Sequence, residues 1–346
     1  MAYSIALNFE DGITRFVECR PGETVADASY RVGINIPLDC RDGACGTCKG
    51  FCESGRYDNG SYIEDAMTDE EAAEGYVLAC QMRPNSDCVI RIAATSNVCK
   101  TGVASHKGQI RAINHLSETT TSFSMQLEPE PPLTFLPGQY VNLVVPDTGG
   151  QKRSYSFSSS PDAPEVSFLI RNTASGLLPT YMRDKAQVGA PLEFTGPIGS
   201  FYLREVRRPL LFLAGGTGLA PFLAMLGTMS HTNSKYPVHL IYGVTNDPDL
   251  VLLDKLQEFR NQLPNFTFSS CVANEESSYP NKGYVTRYIE SQHMHDGEVD
   301  VYLCGPPAMV DAVRNHMSEQ GMTSANFYFE KFANSGVVTA IGAVLS

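Results

Sequence analysis

Four cysteines stand at spacings that chemistry can use. Cys40, Cys45 and Cys48 fall in the run Cys40-Arg-Asp-Gly-Ala-Cys45-Gly-Thr-Cys48, and Cys80 arrives later in Tyr76-Val-Leu-Ala-Cys80. C-x4-C-x2-C with a distant fourth cysteine is the ligand spacing of a plant-type [2Fe–2S] cluster. Each iron needs two thiolates, so three ligands in one short run oblige a loop to wrap the cluster and turn its amides to the sulfurs. Gly43 and Gly46 supply the unusual backbone angles and the close approach. Two other uses of the four cysteines stay open. Structural zinc usually shows two short C-x2–4-C pairs, and here only Cys45 and Cys48 make one. Disulfides belong to exported proteins, and no export signal opens this sequence. A [2Fe–2S] cluster moves single electrons, so the rest of the chain must deliver or receive them singly. Cys19, Cys52, Cys88, Cys99 and Cys271 show no metal spacing and read as small buried hydrophobes.

The chain has 346 residues, enough for two or three domains. Its 42% hydrophobic content is that of a soluble globular protein, and no apolar run approaches the ~20 residues that span a bilayer. The expectation is therefore a cytoplasmic protein with no membrane partner. A net charge of -12 argues against nucleic acid. Residues 1–100 carry -7 of it, 101–206 carry -1 and 207–346 carry -4. The excess on the cluster-bearing third, with Asp65, Asp69, Glu70, Glu71 and Glu74 grouped between the third and fourth cysteines, is either a solvated surface or a device for steering a protein partner.

Three kinds of element must position this chemistry. Over residues 1–100, Ala2 to Phe9 and Thr14 to Arg20 alternate like strands about the turn Glu10-Asp11-Gly12. Thr24 can cap a helix that Gly33 ends. A boundary is expected between Ser96 and Lys107, with Gly102 and Gly108 breaking the pattern. Residues 101–206 hold short β-like runs: Gln109 to Ile113, Ser122 to Leu127, Tyr140 to Val145, Ser154 to Ser158, Val166 to Ile170 and Pro191 to Thr195. Pro- and Gly-rich turns separate them, which predicts an antiparallel β-barrel. In residues 207–346, the apolar runs Leu210 to Ala214, Val238 to Gly243, Phe266 to Val272 and Val299 to Cys304 read as strands. They alternate with helical stretches over Ala220 to Met229, Leu250 to Leu263, Val285 to Gln292 and Ala308 to Gln320. That alternation predicts an α/β parallel sheet.

Further motifs fall on these elements. Arg153-Ser154-Tyr155-Ser156 enters a barrel strand, and Leu210-Leu-Phe-Leu-Ala-Gly215-Gly216-Thr217-Gly218-Leu-Ala220-Pro221 reads as strand, glycine turn and helix. The glycines let amides approach a phosphate or a nicotinamide closely, although a tight turn in an ordinary α/β sheet would look the same. Val301-Tyr-Leu-Cys304-Gly305-Pro306-Pro307 is a second such turn.

With these motifs in series the chain resembles the ferredoxin–NADP reductase family, joined to a β-grasp ferredoxin module at its N-terminus. The resemblance implies FAD in the barrel. Arg153 would neutralise its pyrophosphate, Tyr155 stack on the isoalloxazine and Ser156 bond near N5. Leu169 and Arg171, in Phe168-Leu169-Ile170-Arg171, match the strand that lines the flavin. Gly176-Leu177-Leu178-Pro179-Thr180 matches the family's phosphate turn, with Pro179 where a hydroxyl is usual. Gly176, Leu177 and nearby Thr180 remain the expected contacts. Gly215, Gly216, Thr217, Gly218, Pro221, Cys304, Gly305 and Pro306 would line the nicotinamide side. Cys304 is either near the nicotinamide or a buried inert thiol. Phe332, in Phe327-Tyr-Phe-Glu330-Lys331-Phe332, is either a flavin lid or core, and the chain runs on to Ser346. Tyr155, Ser156, Cys304 and Phe332 are thus the candidates closest to the hydride chemistry.

The turn Val244-Thr245-Asn246-Asp247 lacks the arginine common in NADP-using relatives, and Asp247 would repel a 2′-phosphate. NADH is expected. The domain order resembles the reductase components of aromatic-ring-hydroxylating oxygenases, within them the benzoate, toluate and anthranilate type. This implies electron flow from NADH through FAD and a [2Fe–2S] cluster, near roughly −400 mV for plant-type clusters, to a Rieske-type oxygenase. A reductase of a di-iron monooxygenase shares the module order, and a ferredoxin-type redox carrier with a structural α/β domain is the reading from another class. His293-Met-His295 shows no ligand spacing and reads as a surface loop.

Overall fold

The computed structural model describes residues 2–100, 104–232 and 234–332. Three main sheets follow one another along the chain. Strands β1 (Tyr3–Phe9), β2 (Thr14–Cys19), β3 (Lys49–Ser54), β4 (Tyr57–Asp58), β5 (Tyr76–Leu78), β6 (Arg83–Pro84) and β7 (Cys88–Ile92) build the first. Its order is β2-β1-β7-β3-β5, with β4 and β6 as a separate ribbon. In β1 the alternate residues Ile5, Leu7 and Phe9 are buried, the period-two pattern of a strand with one core face. Helix α1 (Val25–Arg31) adds Val25, Ala26 and Ala28 to the same core. As expected, Thr24 Oγ1 accepts from the Asp27 amide at 3.2 Å, and Gly33 follows the helix with φ +77°. Helix α2 (Asp69–Glu74) begins at a capping box made by Thr68 and Glu71. This is the β-grasp arrangement.

The second sheet is antiparallel throughout: β8 (Ala104–His115), β9 (Thr120–Leu127), β10 (Tyr140–Val144), β11 (Lys152–Ser156), β12 (Val166–Arg171) and β13 (Pro191–Ile198). Its order is β11-β10-β13-β8-β9-β12, and the two edge strands meet through the Phe157–Phe168 bridge, so the barrel nearly closes. Phe123, Phe135, Phe157, Phe168 and Phe194 fill it, and Leu178 and Met182 of α3 (Leu177–Asp184) join that core. Gly108 does not break the pattern as expected. It lies inside β8, where a Cβ would stand 2.4 Å from the Gln126 carbonyl oxygen, so glycine there permits the strand pairing.

The third sheet is parallel: β14 (Leu210–Gly215), β15 (Val238–Val244), β16 (Phe266–Val272), β17 (Asp300–Gly305) and β18 (Asn326–Lys331), in the order β16-β15-β14-β17-β18. Every residue of β14 and β17 is buried, which is why β14 reads as an unbroken apolar run and β17 as one after Asp300. Helices α4 (Ala220–Met229), α5 (Leu253–Gln262) and α7 (Pro307–Glu319) lie close to their expected positions. The helix expected over Val285 to Gln292 is instead a 3-10 turn, Val285–Tyr288, and a short α6 (Ser291–Met294). Ile289 and Glu290 between them are extended, with ψ 106° and 154°, which lets Val285 and Ile289 both reach the core. Strand β18 was not foreseen, because Phe327-Tyr-Phe on a half-exposed edge shows no alternation. Among the described residues no helix is long and apolar enough to cross a membrane.

Candidate functional site

The cysteine loop is held open by left-handed backbone. Arg41, Gly43 and Gly46 have φ of +65°, +82° and +72°, and a Cβ on Gly43 would stand 2.3 Å from the Ser61 carbonyl oxygen. The Ala44 amide donates to Cys40 Sγ at 3.3 Å. Cys45 and Cys80 are the neighbours that most perturb the Cys40 thiol, and Cys80 the one that most perturbs Cys48. The two chain segments therefore bring all four thiols together. Cys48 and Cys80 are buried, while Cys40 and Cys45 are partly open. Among the described residues no three His, Cys, Asp or Glu side chains gather round one point as the ligands of a single ion would. Four thiols brought together supply the number of ligands that a [2Fe–2S] cluster requires. All ten cysteines are free thiols, so nothing supports disulfides.

The face expected to take a flavin is made by β10 and β11, which pair Tyr140 with Ser156, Val141 with Tyr155 and Leu143 with Arg153. Arg153 and Tyr155 share one side of β11 and are half-buried, and Ser156 is buried. Burial pushes the Tyr155 phenol up, so it stays a neutral, flat contact with a polar tip. Leu169 is buried in the core cluster that also holds Leu219 and Cys304, at the seam between barrel and parallel sheet, and Arg171 is exposed. Gly176 is the N-cap of α3. The Thr180 amide is spent inside the helix, on the Gly176 carbonyl at 3.0 Å. Leu177 and Leu178 keep the first-turn amides that a phosphate can accept. Pro179, buried at the third position, offers neither hydroxyl nor N–H.

Ser156 Oγ lies 3.2 Å from Glu330 Oε2. Part of the Glu330 residue is open, but its carboxyl end is enclosed. Burial raises its pKa from an ordinary 4.5 to about 8, against the lowering effect of the Ser156 bond. The folded protein thus keeps a proton that the unfolded chain sheds between those two values. The stabilisation from this group is complete below pH 4.5 and is lost as pH rises through about 8. Thermal unfolding of flavin-free protein from pH 4.5 to 8.5 should show a decline that Glu330→Gln flattens. Its size is at most ~1.4 kcal/mol per pH unit, and less where solvent screens the open side. Identical slopes in both proteins would dismiss it.

The glycine turns stand at the carboxyl ends of neighbouring strands, Gly215–Gly218 after β14 and Cys304–Pro306 after β17. The strand order reverses between these two, which is where a doubly wound sheet opens its ligand crevice. Gly216 has φ +54°, and a Cβ on Gly218 would stand 2.3 Å from the Cys304 carbonyl oxygen, so the turns touch through glycine. Thr217 sits between them, half-buried, and Pro221 opens the first turn of α4. Cys304 is fully buried, and burial holds its thiol well above the usual range. The Phe332 amide donates to Gly305 O at 2.9 Å, and its half-buried ring packs on the cluster containing Cys304. The tail after Phe332 lies outside the described residues.

In the loop after β15, Asp247 accepts from the Ser277 hydroxyl and, at 3.3 and 3.2 Å, from the Ser278 amide and hydroxyl. These bonds hold its carboxyl below the usual range. Both serine hydroxyls are thus occupied by a carboxylate.

Several residues that join the modules were missed. Asp39 accepts from Tyr140 Oη at 2.9 Å and Asn142 Nδ2 at 2.6 Å, and Tyr140 Oη lies 3.1 Å from Thr47 Oγ1. Arg204 bonds both Glu10 oxygens, at 3.0 and 2.9 Å, between the rings of Tyr202 and Tyr328. Glu71, read from the sequence as one of a surface acidic group, is buried. It meets Lys49 Nζ at 2.7 Å and Arg314 Nη1 of α7 at 3.1 Å, so it ties the first module to the third. Burial works against both members of the Lys49 pair, yet the cations outweigh it on Glu71 and hold its carboxyl below the usual range. No single-sequence signal separates these residues from ordinary surface charge. A cavity of about 360 Å³ lies at the join of the first two modules, lined by Tyr30, Pro37, Asn97, Phe135 and Pro197 among others.

Three family comparisons cover the chain in series. Residues 8–85 match the 2Fe-2S iron–sulfur cluster binding domain, 107–202 the oxidoreductase FAD-binding domain and 212–315 the oxidoreductase NAD-binding domain. The chain is 56% identical over 336 residues to the toluate 1,2-dioxygenase electron transfer component of Pseudomonas putida, covering 97% of this chain and 100% of that one. It is 49% identical to the 2-halobenzoate 1,2-dioxygenase electron transfer component of Burkholderia cepacia, covering 96% and 98%. Among solved structures, a cytochrome P450 reductase from Amycolatopsis superposes with a TM-score of 0.72 at 30% identity, covering 96% and 100%.

Proposed function

The chain belongs to the family of iron–sulfur flavoprotein reductases that carry electrons from NADH through FAD and a [2Fe–2S] cluster, and from that premise we propose that its acceptor is the Rieske-type oxygenase of a benzoate-like aromatic-ring dioxygenase. The observation that carries the proposal is the 56% identity over the full length of a toluate dioxygenase electron transfer component. The decisive experiment is reconstitution: the purified chain, NADH and a purified benzoate- or toluate-type oxygenase should give diol product. A di-iron monooxygenase accepting electrons at least as fast would overturn the proposal.

In this reading Cys40, Cys45, Cys48 and Cys80 hold the cluster within a unit of residues 1–100. Residues 101–206 hold FAD and residues 207–346 hold NADH. A flavin held by these residues would supply the conversion of a two-electron hydride from NADH into single electrons, which a single-electron cluster requires. The protein's part is positioning and charge. Arg153 neutralises pyrophosphate, the first-turn amides of α3 hold phosphate, and Tyr155 gives the ring a flat, rigid wall. Ser156 and Glu330 keep a proton at that wall near neutral pH. Gly215, Gly216, Gly218 and Gly305 leave room for the nicotinamide, while Cys304 contributes shape rather than a thiolate.

Docking of the oxygenase is assigned to the acidic first unit. Ile63 is half-exposed beside Glu64 and Asp65, and its amide bonds Gly43 O of the cluster loop at 3.2 Å. Exposed Glu70 and Glu74 on α2 extend the same negative field. Such steering acts over ~10 Å at 0.1 M salt and ~3 Å at 1 M, and it mainly raises the association rate. Electron transfer to subsaturating oxygenase should slow as salt rises, while flavin reduction by NADH in the same buffers should not. Glu70→Lys with Glu74→Lys should reproduce the high-salt rate. A flat response would leave the acidic surface a solvated one. Glu71 is excluded from this test, because its reversal would break an internal ion pair.

A further inference from the structure

The side chains at the join of the first two sheets suggest how the cluster is kept near the flavin face. Asp39 immediately precedes the first cysteine of the cluster loop. Its two carboxylate oxygens are each taken by a β10 side chain, Oδ2 by Tyr140 Oη at 2.9 Å and Oδ1 by Asn142 Nδ2 at 2.6 Å. Tyr140 Oη also reaches Thr47 Oγ1 at 3.1 Å. One phenol therefore grips the cysteine loop on both sides, just before Cys40 and between Cys45 and Cys48. Nearby, Ser200 Oγ reaches Thr47 O at 3.5 Å.

The other end of Tyr140 faces the flavin wall. Its backbone pairs with Ser156. Its ring packs on Gly199, where a Cβ would stand 2.9 Å from two ring carbons. The residue is 5% exposed, so the grip is shielded from water, and a hydroxyl buried there needs its partners. Tyr140 thus links the Ser156 face to the cysteine loop through a single residue.

We propose that Asp39, Tyr140 and Asn142 form a latch that fixes the cluster loop against the flavin wall, which makes them positioning residues for electron transfer from flavin to cluster. The proposal rests on the reading of Arg153–Ser156 and of the four cysteines as cofactor sites. The step it governs passes one electron at a time from reduced flavin to oxidised cluster, and no bond forms or breaks. Because such transfer depends on separation, a latch residue sets its rate without touching either hydride transfer or the ligands.

The test uses barrel-side variants, Tyr140→Phe, Asn142→Ala and the double variant, none of which alters a cysteine or its neighbours in sequence. Stopped-flow spectroscopy separates flavin bleaching by NADH from the later bleaching of the cluster. Bleaching of the flavin should match wild type. Cluster bleaching should slow by about tenfold to a hundredfold in the double variant, the scale on which small misplacements act. Asp39→Asn should fall between wild type and the double variant, since an amide can keep one of the two bonds. A second readout needs no cofactor chemistry: amide hydrogen exchange over residues 39–48 should rise in the double variant. Wild-type cluster bleaching with wild-type exchange would overturn the latch, and so would loss of iron from the double variant, which would make these residues supports of the ligand loop itself. A wild-type protein that holds no iron or flavin would instead defeat the cofactor reading on which the latch rests.

Discussion

Replacing Cys45 with serine should abolish electron delivery to cytochrome c or to the oxygenase while leaving NADH-dependent ferricyanide reduction intact. The two activities separate because they use different parts of the chain. On the proposed assignment hydride transfer belongs to the seam between the barrel and the parallel sheet, where β11, the Gly215–Gly218 turn and the Cys304–Pro306 turn stand. Single-electron exit belongs to the cysteine loop. Cys45 is a sensitive choice, since it is partly open and packed against Cys40. A serine there offers a weaker ligand without leaving a large hole. Losing even an outer-shell partner of a metal ligand costs up to about a hundredfold, so loss of a ligand should lower cytochrome c reduction by at least ~100-fold. Iron and sulfide content should fall with it, from two of each per chain expected for this cluster type. Normal cytochrome c reduction by a cluster-free variant would remove the cluster from the path.

What the sequence disclosed follows from which signals are local. The cysteine spacing, the Thr24 cap, the Ala220–Met229 helix and the glycine turns each depend on residues a few positions apart, and each is found where local chemistry puts it. The parallel sheet was legible because β14 and β17 are buried on both faces and so read as apolar runs, broken only by Asp300 at the start of β17. The misses are of the opposite kind. Strand β18 exists because β17 offers it a free edge, and nothing in Phe327-Tyr-Phe-Glu330 announces that. Val285 to Gln292 has helical composition, but the core pulls Val285 and Ile289 inward together and the helix breaks. Glu71 was read as a surface charge because its partners are 22 positions away at Lys49 and in another module at Arg314. Tyr140, Asp39 and Arg204 are similarly defined by distant partners. Only Glu330 stood inside a quoted motif, and its enclosed carboxyl is a property of the fold rather than of the string.

The preference for NADH over NADPH should be strong and should yield to one substitution. Dinucleotide enzymes distinguish the two at the ribose 2′ position, with an acid that meets a hydroxyl or a cation that meets a phosphate. By the proposed assignment the relevant loop follows β15, and its acid is Asp247, held below the usual carboxylate range by Ser277 and Ser278. A 2′-phosphate brought there would meet negative charge and find both hydroxyls already donating. The change that should help is Thr245→Arg. Thr245 is exposed at the start of the loop, whereas Val244 is buried in the strand and an arginine there would disturb the core. A charge-assisted bond from arginine to phosphate contributes about 1.5–3 kcal/mol, and each ~1.4 kcal/mol is tenfold in affinity. The ratio of kcat/KM for NADPH over NADH should therefore rise by tenfold or more in Thr245→Arg. Asp247→Asn should add to it by removing the repulsion, and because its amide can still accept from Ser277 the loop should keep its shape. The outcome that would sink the argument is a wild-type enzyme that already prefers NADPH, since the charge in this loop would then lie away from the ribose.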